Sequence, residues 1–175
     1  MNSELEIYVN KMRELAEGPS PALEVKAYLR DTVGAIVSGD IVLPNFDEDE
    51  VMMYENDHVS IWHLRFHPNV LVPPHDHQMN AYIGVYDGAE HNHFYRQEQN
   101  TLHYVKSKVV AAGDVLSIGP DGIHTVQAHG DQPCQSLHVY LGAVSIVERS
   151  LFDWDTGEAI AYTIPAYDRL KREVS

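Results

Sequence analysis

Two short segments carry the chemistry that is easiest to read: Pro73-Pro74-His75-Asp76-His77 and, further along, Gly119-Pro120-Asp121-Gly122-Ile123-His124. Alternate residues of an extended strand point to the same face, so the imidazoles of His75 and His77 can converge on one ion. Imidazole suits iron, zinc, copper and nickel. An HxH pair alone recurs in many proteins, and a third histidine is what turns it into a candidate site. Gly113-Asp114 leads the chain into a strand and the Gly119 to Gly122 turn leads it back, which can bring His124 against the 75–77 strand. The chain holds 11 histidines, all between His58 and His138, so a merely histidine-rich surface is the plain alternative. Downstream lies Ser136-Leu137-His138-Val139-Tyr140. The period of two puts His138 and Tyr140 on one face, opposite Leu137, Val139 and Leu141. Burying a histidine and a tyrosine is unfavourable unless they are hydrogen-bonded or functional.

These side chains need a scaffold of closely spaced strands. From residue 57 onward, short runs rich in Val, Ile, Tyr and Phe alternate with turns such as Asp87-Gly88, Asp121-Gly122, Gly130-Asp131 and Thr156-Gly157. The runs are 58–66, 70–73, 80–87, 91–97, 101–106, 109–111, 115–118, 124–128, 136–147 and 160–164. Many short strands without alternating helices predict an all-β sandwich or barrel. Ahead of them, apolar residues at helical spacing predict helices over 4–17 and 22–37. Ser20 is the expected N-cap of the second, Pro21 its first residue, and Gly39 its end. Residues 1–50 therefore read as a helical segment with an acidic linker, Asp47 to Glu50, packed on a barrel domain of residues 51–175. The tail from Asp168 reads as a short surface helix or a frayed end.

Size and composition narrow the function classes. The 175 residues fit one domain, and 44% of them are hydrophobic, which argues against disorder. With 26 acidic against 12 basic residues the formal charge is -14, which disfavours nucleic acid and anionic membranes as partners. The single cysteine, Cys134, cannot form an intrachain disulfide. The N-terminus reads as neither basic leader nor apolar signal, and no apolar run nears the roughly 18 residues of a spanning helix. The expectation is a cytoplasmic protein.

The paired motifs, HxH and a Gly- and Pro-containing stretch ending in His124, resemble those of the cupin superfamily over roughly residues 58–147. That resemblance implies an all-β cupin double-stranded β-helix, a jelly-roll barrel, here with two N-terminal helices. Common cupins add a ligating glutamate four or five residues after HxH. Here Ala81 and Tyr82 stand in that place and Glu90 falls on the next strand, so a three-histidine site fits better, with about three positions open on a six-coordinate metal. The Ser136-Leu137-His138-Val139-Tyr140 segment is similar to that of the cysteine dioxygenase group of thiol dioxygenases.

Carried over, that resemblance implies that His75, His77 and His124 hold Fe(II) and that Ser136, His138 and Tyr140 form a relayed polar triad beside it. The implied reaction oxidises a small thiol, cysteine or a mercapto-acid, to a sulfinate with dioxygen. Tyr140 would hydrogen-bond oxygen or substrate, and His138 would orient its hydroxyl.

The sequence also departs from that group. The arginine usually placed well before HxH is missing from Met53-Tyr54-Glu55-Asn56, and Arg65 is the nearest replacement, with Arg96 and Arg149 as weaker alternatives. Tyr82 replaces the cysteine that cross-links to the active-site tyrosine in some members, and its distance from His77 suggests a pocket role. Other readings stay open: a cupin dioxygenase acting on a carbon substrate such as a diketone, or a non-catalytic metal-binding cupin. Many cupins pair through a sheet edge, which leaves a homodimer open.

Overall fold

The computed structural model of the chain describes residues 3–174. Helices α1 (Ser3–Ala16) and α2 (Pro21–Ser38) come first. The side chain of Ser20 makes no capping bond. Its carbonyl instead accepts from the N–H groups of Leu23 and Glu24, and Pro21 occupies the first turn. Gly39, at φ 83°, ends the helix in the left-handed conformation that a residue with a Cβ resists.

The strands follow as β1 (Glu50–Glu55), β2 (Ser60–Phe66), β3 (Val70–Leu71), β4 (Ala81–Asp87), β5 (Ala89–Glu98) and β6 (Thr101–Ala111). After them come β7 (Val115–Ile118), β8 (Ile123–Ala128), β9 (Cys134–Tyr140), β10 (Ser150–Phe152), β11 (Ala159–Ala161), helix α3 (Ile164–Leu170) and β12 (Arg172–Glu173). One antiparallel sheet has the order β1-β2-β9-β4-β7, and the facing one is built on β6-β5-β8. Backbone pairing of His75 with both His124 and Leu151 carries the second sheet on to β10 and β11. The chain passes repeatedly between the sheets: β4, β7 and β9 lie in the first, while β5, β8 and β10 lie in the second. This winding is a double-stranded β-helix, the all-β jelly roll expected from the sequence.

Side-chain alternation divides the apolar residues into layers. Ile61, Tyr82, Leu137 and Val139 leave the first sheet outward and pack with Val9, Met12, Val25, Leu29 and Val33 of the helices. Gly84 lets α2 come close, since a Cβ there would lie 2.8 Å from Val33 Cγ1 and 2.9 Å from Leu29 Cγ. Ala81, Ile83, Val85, Leu116 and Tyr140 face the barrel interior. A third cluster, including Val72, Val126, Leu151 and Tyr167, ties the C-terminal segment to the second sheet.

Several boundaries differ from expectation. The acidic run is not a free linker: Asp49 pairs with Arg65 and His67, and Glu50 begins β1. β6 is continuous where the polar Ser107 and Lys108 suggest a break, because this long hairpin strand is solvated on both faces over most of its length. The β5–β6 turn uses Gln99 and Asn100, at φ 49° and 61°, a mirror-image turn without its usual glycine. Residues 141–147 leave the strand predicted over 136–147. No helix among the described residues is long and apolar enough to cross a membrane.

Candidate metal centre

The three motif histidines meet. One ligand atom from each of His75, His77 and His124 lies within 4.8 Å of the others. Their ring centroids stand 4.5 to 5.1 Å apart, and all three are buried. The HxH pair is not on a regular strand as predicted. His75 makes an isolated bridge, and the chain then turns through Gln78 at φ 57°. Asp76, between the two, points away and fixes this turn: Oδ1 accepts from Ser150 N–H and Oδ2 from Gln78 Nε2.

Hydrogen bonds set which ring nitrogens remain free. His75 Nδ1 donates to the Pro73 carbonyl at 2.9 Å, leaving Nε2 with its lone pair. His124 Nδ1 lies 2.9 Å from Asn92 Oδ1, and its Nε2 is buried without a partner among the described residues. His77 Nδ1 is buried without one in the same way. One nitrogen from each ring, gathered within 4.8 Å of the others, and the unpartnered His124 Nε2 fit a divalent transition metal. Burial holds His75 down to about 4, against the opposing Pro73 bond and with Arg149 and His138 adding to it. Burial first, then neighbouring histidines, keep His77 and His124 well below the ordinary histidine value. Neutral imidazoles are the form that ligates a metal.

Beside the histidines runs a buried polar chain. Tyr140 Oη lies 3.1 Å from His138 Nδ1, and His138 Nε2 lies 3.0 Å from Ser136 Oγ. The structure thus brings Ser136, His138 and Tyr140 into contact, with the Tyr140 ring 5.1 Å from that of His77. The chain continues to a residue that the sequence offers only as a misplaced fourth ligand. Glu90, wholly buried, accepts from Ser136 Oγ at 2.5 Å and lies 3.3 Å from His138 Nε2. Burial would push its carboxyl up, but bonds from His138, Ser136 and Asn92 outweigh this and hold it below its ordinary value. Burial pushes the Tyr140 phenol up, opposed by Arg149.

One cavity opens onto His75, His124, His138 and Tyr140. Its walls are largely apolar, with Trp62, Leu64 and Phe66 from alternate positions of β2 and Val72, Val126 and Val144 around them. Arg149 also lines it, its guanidinium 3.5 Å from the centre of the Tyr162 ring. Glu50 supplies an acidic group at the wall.

Two sequence-based assignments are corrected here. Arg65 shares a strand face with Ile61 and His63, opposite the Trp62, Leu64 and Phe66 face of the cavity. Its guanidinium binds Asp49 Oδ1 and the Phe46 carbonyl. Arg149, ranked below it from sequence, is the arginine at the cavity. Tyr82 faces the helices rather than the pocket, because it alternates with the inward Ala81 and Ile83. Cys134 is a buried thiol pushed up to about 12 by burial and by Glu90. A signal for Glu90 did exist: Glu90, Asn92 and Phe94 share the face of β5 that pairs across to His124 and Val126.

No protein-family profile matches the chain, and no curated protein is significantly similar to it. Among solved structures, it is similar to an RmlC-like cupin family protein with a double-stranded β-helix fold from Methanocaldococcus jannaschii. That alignment has a TM-score of 0.47 and 13% identity, over 60% of this chain and 92% of the other. A cupin superfamily protein from Desulfitobacterium hafniense aligns at TM-score 0.44 and 15% identity, over 57% of this chain and 83% of the other. The 11S globulin from Wrightia tinctoria aligns at TM-score 0.45 and 16% identity over 57% of this chain, which spans only 24% of the globulin's length.

Proposed function

We propose that this protein is a mononuclear non-haem iron dioxygenase that oxidises a small thiol bearing a carboxylate, such as cysteine or a mercapto-acid, to the sulfinate. One observation carries the reading: Arg149, the Tyr140–His138 pair and two of the three clustered histidines, His75 and His124, share a single, largely apolar cavity. Fe(II) held by His75, His77 and His124 would supply open positions for a thiolate and dioxygen, together with the redox chemistry that joins them.

The chain's own residues account for the remaining needs. Arg149 offers a fixed guanidinium to the carboxylate, and its stacking on Tyr162 limits its motion. The walls of Trp62, Leu64 and Phe66 exclude water and strengthen that ion pair. A thiol must lose its proton on binding. Tyr140 Oη can take that proton while passing its own to His138 Nδ1, and the resulting imidazolium sits against the Glu90 carboxylate. The balance is RSH plus O2 giving RSO2H, with sulfur oxidised and dioxygen reduced. A simple diketone carries no carboxylate for Arg149 to pair with.

Oxygen uptake by Fe(II)-loaded protein tests the reading. Uptake is expected with small mercapto-acids and not with diketones, and Tyr140→Phe is expected to lower kcat for the thiol. Uptake with diketones alone would refute it.

A further inference from the structure

Among the described residues, Glu90 carries the only charge in a buried network that reaches from the Tyr140 hydroxyl to a candidate ligand. Its Oε1 faces both Ser136 Oγ and His138 Nε2. Its Oε2 accepts from Asn92 Nδ2 at 3.1 Å, and Asn92 Oδ1 faces His124 Nδ1 at 2.9 Å. Glu90 and Asn92 are both wholly buried, so water does not compete for these bonds. An ionised carboxylate only accepts. Asn92 must therefore turn its amide nitrogen to Glu90 and its oxygen to His124. His124 must then carry its proton on Nδ1, which leaves the lone pair of Nε2 free, and Nε2 is indeed the ring atom that finds no partner.

We infer that Glu90 is a positioning residue that fixes the metal-binding tautomer of His124 through Asn92 while holding the Ser136–His138–Tyr140 relay in register. The inference rests on the metal-site reading but not on the thiol chemistry. Glu90→Gln preserves shape but not the pattern of acceptors. Two donors converge on Oε1, so a glutamine carbonyl stays there and its amide nitrogen turns to Asn92. Asn92 must then reverse, presenting its own amide nitrogen to His124 Nδ1. The proton of His124 moves to Nε2, where it blocks ligation. Adding Asn92→Asp repairs this. The carboxylate introduced at position 92 accepts from both the new glutamine amide and His124 Nδ1–H, so every bond is kept and the charge has moved along the network by one side chain.

Imidazole nitrogen NMR of the metal-free protein, paired with calorimetric titration of Co2+, tests this without any turnover. Wild-type protein is expected to show His124 protonated on Nδ1. In Glu90→Gln the proton is expected on Nε2, with Co2+ affinity reduced roughly 10- to 100-fold. The double variant is expected to restore both the signal and the affinity. If Glu90→Gln keeps the wild-type His124 signal, changes His138 alone, or is not repaired by Asn92→Asp, the inference fails. If Glu90→Gln does not fold, the double variant decides alone: a folded protein with wild-type signal and affinity upholds the inference, and any other result overturns it. Absence of Co2+ binding by the wild type would instead remove the metal-site reading itself.

Discussion

His75 and His124 exchange both of their backbone hydrogen bonds, each at 3.0 Å. Two candidate ligands are thereby held in register by main chain, independently of any ion. The third, His77, sits two residues on, where Asp76 and Gln78 fix the turn. A site built in this way is preorganised. Removing the metal with a chelator should leave the far-ultraviolet circular dichroism unchanged and lower Tm. The lost stabilisation is about 2.7 kcal/mol at a metal concentration roughly one hundred times Kd. His77→Ala should abolish stoichiometric binding without unfolding the barrel, as read by metal analysis and circular dichroism.

The two arginines should separate cleanly. Arg149→Gln is expected to raise KM for carboxylate-bearing thiols roughly 10- to 100-fold, the range of a charge-assisted hydrogen bond. A thiol without a carboxylate should lose much less. Arg65→Ala should leave KM unchanged and lower stability by about 1–3 kcal/mol, since its mostly buried guanidinium bonds both Asp49 and the Phe46 carbonyl. Steady-state kinetics with both substrates and a urea melt read these outcomes.

Gly84→Ala should destabilise the fold by about 1–3 kcal/mol, because its methyl would press into Val33 and Leu29. The change lies on the helix side of the first sheet, away from the cavity, so metal affinity should be unaffected. Val33→Ala in the same chain should recover part of the loss, measured as the urea midpoint.

Acid should weaken the metal-free protein in a defined window. His63 is buried, stacked on Phe46 at 3.9 Å and bonded to Tyr86, and burial with Arg65 and His138 pushes it down to about 4. Below about pH 6.5 the unfolded chain binds a proton that folded His63 refuses until near pH 4. Stability should therefore fall as pH drops through that window and stay flat, for this group, above it. Thermal melts of wild type and His63→Phe test this; the variant should show the shallower acid slope.

Much of this architecture was legible in the sequence. Helical spacing located α1 and α2, and turn residues separated most strands. Period-two alternation correctly set His138 and Tyr140 opposite Leu137 and Val139. Across β2 and β4 the same rule turns Arg65 and Tyr82 away from the cavity, whereas their closeness in sequence to the histidines points the other way. Read locally, Glu90 offers only a fourth ligand on the wrong strand. Its role depends on Ser136 and His138, which reach it across the barrel from another sheet, and no local pattern encodes that meeting. Arg149 lies beyond the regular strand, in a segment placed by the bond from Ser150 N–H to Asp76, a tertiary contact between distant parts of the chain.

The most direct test is the fate of labelled dioxygen. Protein loaded anaerobically with Fe(II) and given a small mercapto-acid under 18O2 should consume one dioxygen per thiol and yield a sulfinate in which both oxygen atoms carry the label, read by mass spectrometry. A product limited to disulfide, or no oxygen uptake with any small thiol by protein that holds stoichiometric iron, would contradict the account.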